Sequence, residues 1–295
     1  MTNELKRYLK NKKNLEDAFL YNPGHEHDSC GVGFVASTDG KQRREVVQGG
    51  IDALKAVWHR GAVDADGKTG DGAGILTQIP YNFFDDEIAK TGHEKRDETL
   101  GIGMMFLPRN DYAALEKCRT IVESELLDHG YYIYGWRQVP INNSVIGEKA
   151  NSTRPEIEQV MFVNNIERDK DFDFAKELYL VRRRLEKRIA KQQINGFYVC
   201  SLSFESIIYK GLFLAEQLSI FYPDLANEEF ISSFAVFHQR YSTNTFPSWG
   251  LAQPFRLLAH NGEINTISGN TNWMRNHQTR ITTEIFGDDS EQVKP

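Results

Sequence analysis

Cysteine is scarce in this sequence of 295 residues. The three thiols, Cys30, Cys118 and Cys200, are too few and too scattered for the disulfide framework of a small secreted domain. No run approaches the roughly 20 apolar residues of a membrane-spanning helix. The basic N-terminal segment is also not followed by the apolar stretch of a secretory signal. We therefore expect a cytoplasmic protein without a membrane partner.

An excess of positive charge is missing as well. Lys and Arg number 35 against 41 Asp and Glu, a formal net charge of −6, which argues against a nucleic-acid partner. The length allows one large domain or two small ones, and a hydrophobic fraction of 40% is enough for a sizeable core.

The predicted strands cluster in adjacent pairs, with helices between the pairs. This order favours an α+β fold with antiparallel sheets over a parallel doubly wound fold. Strands are predicted at 31–37, 75–79, 100–107, 131–139, 158–163, 197–204, 206–209 and 230–238. Helices are predicted near 5–20, at 111–128, from Phe174 onward, and around an apolar face of Val47, Ile51, Leu54 and Trp58. Residues 140–155 are predicted to be a surface loop, and the basic stretch 182–191 a solvated helix end.

Two nucleotide-binding motifs are approximated but not met. Gly31 to Ala36 fits G-x-G-x-x-A, yet a polar segment precedes it and a strand follows, which is the wrong context. Gly67-Lys68-Thr69 resembles the end of a P-loop, but its spacing from Gly61 is one residue too long. Neither segment predicts a phosphate site.

Cys30 stands where a polar segment changes into an apolar run. A thiol is a nucleophile when a base takes its proton, and the α-amino group of a chain that begins at Cys30 could be that base. Such a group titrates at about 7.7–8.0 when unperturbed. This hypothesis requires cleavage between Ser29 and Cys30. Two alternatives stay open: a buried structural cysteine, the commoner role of a lone thiol, or a metal site with His25 and His27, whose spacing matches no standard zinc pattern.

Three later segments combine residues that suit a substrate site. His59-Arg60-Gly61 leads into a loop rich in Gly and Asp, whose backbone can approach a ligand closely. Arg240 ends a predicted strand, and a guanidinium can bind a carboxylate through two hydrogen bonds. Asn261-Gly262 follows an apolar run and can direct two donors at one oxyanion. Taken alone, each segment fits an ordinary loop, surface arginine or turn.

Taken together, these segments resemble the motifs of the class II glutamine amidotransferases, which are N-terminal-nucleophile hydrolases. The order and approximate spacing match for His27 to Phe34, His59-Arg60-Gly61, Arg240-Tyr241-Ser242-Thr243 and His260-Asn261-Gly262-Glu263. Thr69-Gly70-Asp71-Gly72-Ala73-Gly74 and the long leader resemble the amidotransferase domain of glutamate synthase large subunits in particular. The resemblance runs from about residue 21 to the end of the chain.

The resemblance implies a four-layer αββα sandwich, with residues 1–29 as a propeptide and residues 30–295 as an amidotransferase domain. It implies hydrolysis of glutamine through a thioester on Cys30. It also assigns further roles: Asn261 and Gly262 would stabilise the oxyanion, Arg240 would bind the substrate α-carboxylate, and Arg60 and Gly61 would close the pocket.

One family motif is missing, the Ser-Asp-Ser type segment whose Asp holds the substrate α-amino group. Asp288-Asp289-Ser290 is not a convincing substitute, so we expect a C-terminally incomplete domain. If the acidic partner lies within residues 30–295, Asp64, Asp66 and Asp71 are the first candidates.

The resemblance also implies a larger enzyme of glutamate biosynthesis and nitrogen assimilation. Its remaining synthase domains would hold FMN and an iron–sulfur cluster, and would use the ammonia for reductive amination of 2-oxoglutarate. No metal or cofactor is expected in this segment, and a reductase small subunit or ferredoxin is the expected electron-transfer partner. The alternative is a non-catalytic module that folds or binds a partner without turnover.

Overall fold

The computed structural model describes residues 3–22, 31–169, 171–240, 246–257, 267–280 and 284–294. The chain divides into two compact units, Met1–Cys30 and Gly31–Pro295. The first unit contains helix α1 (Asn3–Asp17), which begins and ends two to three residues before the predicted bounds and leaves Leu5, Leu9 and Leu15 exposed. No helix in the described ranges is long and apolar enough to span a bilayer.

The second unit contains two four-stranded antiparallel sheets. Sheet 1 has the order β1-β8-β2-β7 and sheet 2 the order β4-β5-β3-β6. The strands are β1 (Val32–Ala36), β2 (Ala73–Gln78), β3 (Leu100–Leu107), β4 (Tyr131–Gln138), β5 (Glu156–Asn164), β6 (Tyr198–Ser203), β7 (Ser206–Gly211) and β8 (Phe234–Gln239). The helices that follow α1 are α2 (Arg44–Ala56), α3 (Tyr81–Lys90), α4 (Tyr112–Asp128), α5 (Glu148–Ser152), α6 (Phe174–Lys191), α7 (Leu218–Phe221), α8 (Ile267–Gln278) and α9 (Ser290–Val293).

Sheet 2 buries one face under α4 and α6. Asp111 caps α4 by accepting a hydrogen bond from Ala114 N at 2.9 Å, which explains why the helix begins there. Cys118 is fully buried in this layer, as its position in the apolar pattern predicts. A second core contains residues of both sheets together with α2 and α3. The structure therefore confirms the predicted layered α+β fold of two antiparallel sheets with helices.

Helix α2 packs on β1 and β8 and shows where the sequence pattern was misleading. Val47, Ile51 and Leu54 are buried as predicted, but Trp58 is 65% exposed. The α-helix ends at Ala56, and Trp58 lies in a 3₁₀ turn, Trp58–Arg60. Because a 3₁₀ turn advances about 120° per residue, the helical spacing no longer holds there.

The prediction of a surface loop at 140–155 is only partly correct, since several residues are exposed but the segment is neither irregular throughout nor confined to the surface. The segment contains a 3₁₀ turn, Asn143–Val145, and α5, and it buries Ile146 and Ala150. Backbone carbonyls of this segment accept hydrogen bonds from Gln217 and Trp249. The polar composition predicted exposure, but long-range hydrogen bonds satisfy these backbone groups in the interior.

The basic end of α6 is also less solvated than predicted. The Arg182 side chain is 13% exposed and pairs with Glu186 at 2.7 Å. Arg188 pairs with Glu125 of α4 at 2.7 Å. The first pair lies within α6 and the second joins α6 to α4, so the basic end of the helix is not a purely solvated face.

Candidate active site

One end of sheet 1 brings together segments that are far apart in the sequence. Val32 lies opposite His238, and Ala73 lies opposite Gln239. The hydrogen-bond ladder continues past these strands, since Gln239 N donates to Gly31 O at 2.5 Å and Arg240 N donates to Gly72 O at 2.8 Å. The start of β1, the start of β2 and the end of β8 therefore meet at this end, which we call the strand-end site.

The turn after α2 reaches the strand-end site because two glycines permit close packing. A Cβ on Gly61 would lie 2.1 Å from Gln239 Nε2. A Cβ on Gly31 would lie 2.2 Å from Gln239 O and 3.3 Å from Arg60 Cβ. A side chain at position 61 would collide with the Gln239 side chain, and one at position 31 would collide with the Gln239 backbone, which gives glycine at both positions a structural reason.

The Gly-rich loop is fixed to the same end by Asp71. Asp71 N donates to Ala62 O at 3.1 Å, and Asp71 Oδ1 accepts from Ala62 N at 3.0 Å. The Asp71 side chain is only 8% exposed, and its Oδ2 lies 4.0 Å from Arg240 Nε. This carboxylate thus connects the segment after Gly61 with Arg240.

The two other acidic residues of the loop contact different groups. Asp64 forms an ion pair with Lys149. Asp66 accepts hydrogen bonds from the Thr69 hydroxyl at 2.6 Å, from Thr69 N at 2.7 Å and from Lys68 N at 3.0 Å, and these bonds hold its pKa well below the usual range. Of the three acidic residues, Asp71 is the one whose carboxylate lies beside Arg240.

Arg240 combines a strained backbone with unused donors. Its φ of 88° lies in the left-handed region, where a non-glycine residue costs about 1–3 kcal/mol. Nη1 makes a long hydrogen bond to Arg60 O at 3.4 Å, while the buried Nε has no hydrogen-bond partner among the described residues. Strain of this kind is concentrated at functional sites, and unused guanidinium donors suit an anionic ligand.

Neighbouring polar atoms share this lack of partners. Arg60 Nε, His238 Nδ1 and both side-chain polar atoms of Gln239 are buried without a hydrogen bond to any described residue. Burial also lowers the pKa of His238. An unsatisfied buried polar group costs about 1–3 kcal/mol, so a cluster of them requires an explanation such as a bound ligand.

A cavity of about 190 Å³ adjoins this end of the sheet. It lies between the 62–71 loop and Lys149, Thr153, Leu212 and Pro247. Within the described ranges, no group of three or more His, Cys, Asp and Glu side chains is arranged to hold a metal ion.

The structure places Arg60, Gly61 and Arg240 together at the strand-end site. The other predicted site residues, Ser29, Cys30, Asn261 and Gly262, lie outside the described residues. The contacts of Asp71 with Ala62 and Arg240, and the buried amide of Gln239, were not predicted. The one sequence feature that points to Asp71 and Gln239 is their position in or beside recognised motifs, directly before Gly72 and Arg240.

Comparison with known proteins identifies the family to which these motifs belong. A sequence profile described as "Glutamine amidotransferases class-II" matches residues 30–295. The chain belongs to the class-II glutamine amidotransferases. Members of this family are enzymes, which favours a catalytic role over a non-catalytic module.

Curated relatives of this amidotransferase carry glutamate synthase names. The chain is 62% identical over 281 residues to the glutamate synthase [NADPH] large chain of Azospirillum brasilense, an alignment that covers 95% of this chain and 18% of that protein. It is 42% identical over 284 residues to the chloroplastic ferredoxin-dependent glutamate synthase of Spinacia oleracea, covering 96% and 17%. It is 40% identical over 276 residues to the glutamate synthase [NADPH] large chain of Bacillus subtilis (strain 168), covering 94% and 18%. The chain thus spans less than a fifth of the length of these relatives.

Proposed function

We propose that this chain is the amidotransferase domain of a glutamate synthase large chain and hydrolyses glutamine to glutamate and ammonia. The observation that carries the proposal is the convergence of three motifs at the strand-end site. There Gly31, the first residue after Cys30, accepts a backbone hydrogen bond from Gln239, which precedes Arg240. The Arg240 side chain donates a long hydrogen bond to the backbone oxygen of Arg60. Family membership and the relatives support this assignment.

Cys30 is the proposed nucleophile, exposed by removal of residues 1–29. Its neighbour Gly31 is fixed by the hydrogen bond from Gln239 N. The freed α-amino group takes the thiol proton, and the thiolate sulfur forms a bond to Cδ of glutamine while the carbonyl electrons move to oxygen. The Asn261 side-chain amide and Gly262 N–H stabilise this oxyanion, and one such donor is typically worth about 3–4 kcal/mol.

Collapse of the tetrahedral intermediate breaks the bond between Cδ and nitrogen. The protonated amino group of Cys30 gives its proton to the departing nitrogen, which leaves as ammonia. Water then attacks the thioester while the amine takes one of its protons. Cleavage of the carbon–sulfur bond releases glutamate and restores the thiol.

Arg240 is the proposed clamp for the substrate α-carboxylate. Its Nε lacks a hydrogen-bond partner among the described residues, and its only hydrogen bond from the side chain there is the long one to Arg60 O. A carboxylate could bind this guanidinium through two parallel hydrogen bonds. Gly61 allows the Arg60 backbone to lie beside the clamp, where it helps to close the pocket.

The whole enzyme would use the ammonia for reductive amination of 2-oxoglutarate in synthase domains of the parent chain. FMN and an iron–sulfur cluster would be bound in those domains. Electrons would come from a reductase small subunit or from ferredoxin; the relatives' names include NADPH in one case and ferredoxin in another. The proposed location is the cytoplasm.

Substitution of Cys30 tests the proposal directly. In the full-length protein, Cys30→Ala should abolish ammonia release from glutamine and preserve glutamate synthesis from added ammonia, since only the first step needs the thiol. Mass spectrometry should find an N-terminus at Cys30 in the active wild-type protein. Wild-type levels of glutamine hydrolysis in Cys30→Ala would overturn the assignment.

A further inference from the structure

Asp71 is a shared contact of the two motif segments that form the proposed carboxylate clamp. Its backbone N–H and its Oδ1 both bond Ala62, directly after Arg60 and Gly61. Its Oδ2 lies 4.0 Å from Arg240 Nε, and the next residue, Gly72, accepts the Arg240 backbone hydrogen bond at 2.8 Å. The 71–72 pair therefore fixes both the backbone of Arg240 and the surroundings of its side chain.

We propose that Asp71 is a positioning residue that orients the Arg240 guanidinium for the α-carboxylate of glutamine. This inference rests on the proposed function and adds a residue that acts through Arg240. The two hydrogen bonds with Ala62 fix the direction of the Asp71 carboxylate. Its Oδ2 then lies 4.0 Å from Nε of Arg240, so the carboxylate draws that nitrogen toward the protein and the substrate would bind at the terminal nitrogens.

The charge arrangement supports this role. An arginine side chain is long and flexible, and a guanidinium held in one orientation loses less freedom when it binds a carboxylate. The Asp71 side chain is 8% exposed and that of Arg240 is 37% exposed, so the anion lies on the protein side and the cation on the solvent side. Asp71 therefore orients Arg240 without blocking the approach of an anionic substrate.

The test uses 6-diazo-5-oxo-L-norleucine, which carries the α-carboxylate and α-amino group of glutamine, on full-length protein that begins at Cys30. In the labelling reaction the thiolate forms a carbon–sulfur bond at the diazo carbon, that carbon takes up a proton, and N₂ leaves. Asp71→Asn should raise the half-saturating concentration about tenfold, with the limiting rate unchanged. Asparagine retains an oxygen for Ala62 N, so circular dichroism and the rate of labelling by iodoacetamide should stay at wild-type values.

Two comparisons separate positioning from a general structural effect. Asp66→Asn makes the same chemical change in the same loop, but Asp66 bonds Thr69 and Lys68, so labelling should stay at the wild-type level. In an Arg240→Ala background, Asp71→Asn should have no further effect, because its action depends on the guanidinium. The inference would be overturned if the effects of Asp71→Asn and Arg240→Ala on labelling were additive. It would also be overturned if Asp71→Asn reduced labelling by iodoacetamide as much as labelling by 6-diazo-5-oxo-L-norleucine. Absence of saturable labelling at Cys30 in the wild type would instead overturn the proposed function, and the inference with it.

Discussion

Two arginines in the described structure, Arg137 on β4 and Arg240 beyond the end of β8, have different hydrogen-bond environments. The Arg137 side chain is 8% exposed and donates two hydrogen bonds of 2.8 Å to the carboxylate of Asp224. Its Nε donates to Glu87 at 2.6 Å, and its Nη1 also donates to Gln159 at 2.9 Å. Among the described residues, the Arg240 side chain makes only the 3.4 Å hydrogen bond from Nη1 to Arg60 O and a 4.0 Å approach to Asp71.

This difference separates a structural cation from a candidate binding cation. The Arg137 network closes on itself, since Tyr209 donates to Asp224 at 2.8 Å and Gln159 donates to Tyr209 at 2.9 Å. A fully satisfied network fixes one arrangement of the core and leaves no donor for a ligand. At the strand-end site, buried side-chain atoms of Arg60, His238, Gln239 and Arg240 that have no hydrogen-bond partner among the described residues cluster instead. Burial of charge alone is therefore a poor indicator of function, whereas burial without internal partners is a useful one.

The largest expected effect is on the Arg137 network. Arg137→Met should lower the free energy of unfolding by about 3–5 kcal/mol, because it leaves Asp224 as a buried charge without its partner. Urea denaturation measures this loss. Turnover of glutamine per folded molecule should be unchanged. The double substitution Arg137→Met with Asp224→Leu should recover part of the free energy of unfolding, because it removes both charges. If Arg137→Met alone lowers that free energy by less than about 1 kcal/mol, the network is not structural.

The sequence predicted local elements better than this network. Leu100–Leu107 was predicted with its observed bounds, because eight consecutive apolar or glycine residues form a strand that is buried on both faces. Asp111 was a recognisable helix start. No local pattern links Glu87, Arg137 and Asp224, which meet only after three separate elements pack together.

The candidate site could be predicted only in part, because sequence motifs can be recognised but contacts between distant segments cannot. Arg60, Gly61 and Arg240 belong to motifs that could be found by order and spacing. The contacts of Asp71 depend on the antiparallel register that sets Arg240 beside Gly72, and this register cannot be derived from local periodicity. Gln239 likewise looks like an ordinary strand residue until the packing of Gly61 against it is known.

Lys210 sharpens the comparison because it is a buried cation, like Arg137, but has a different set of partners. Its side chain is fully buried, and Nζ donates to Gly250 O at 2.8 Å and to the Tyr198 hydroxyl at 3.3 Å. In the part of the chain that the structure describes, no carboxylate forms an ion pair with it. Burial lowers its pKa from 10.5 to about 8.

The unfolded state therefore binds more protons than the folded state between about pH 8 and 10.5. The contribution of Lys210 to the free energy of unfolding should rise with pH in this window, by roughly 3 kcal/mol in total. Urea denaturation of the wild type and Lys210→Met at several pH values would measure it as a difference in slope. Equal slopes for the two proteins would show that burial does not lower the pKa of Lys210. That result would weaken the contrast between a buried cation with a carboxylate partner and one without.

Arg240→Lys tests the binding side of the comparison. A lysine ammonium cannot make two parallel hydrogen bonds to a carboxylate. Losing one hydrogen bond to a charged group costs about 1.5–3 kcal/mol of binding free energy, so the KM for glutamine should rise by about tenfold or more. The free energy of unfolding should change by no more than about 0.5 kcal/mol, because the arginine has few internal partners. Steady-state kinetics and urea denaturation give the two values. Unchanged KM with a large loss of stability would make Arg240 a structural residue like Arg137.

Asn261→Ala provides the complementary kinetic pattern. Loss of an oxyanion donor should lower kcat by roughly 100- to 1000-fold, with little change in the binding of glutamine. Here the relevant measurement is the ratio of the two effects: Arg240→Lys should act mainly on KM and Asn261→Ala mainly on kcat. The opposite pattern would reverse the proposed roles of carboxylate clamp and oxyanion donor.

The smallest expected effect concerns the thiols. Cys118 and Cys200 are buried in the two cores, and burial raises their pKa to about 11 and about 12, so almost no thiolate forms at neutral pH. Alanine at either position should cost about 1 kcal/mol of unfolding free energy, as a small packing change, and leave the turnover of glutamine per folded molecule unaltered. Iodoacetamide at pH 8 should alkylate neither thiol in the folded protein and both in urea, whereas a processed N-terminal Cys30 should react in the folded state. A marked loss of turnover in Cys118→Ala or Cys200→Ala, at normal folding, would mean that a buried thiol takes part in the chemistry and that burial does not separate structural groups from reactive ones in this protein.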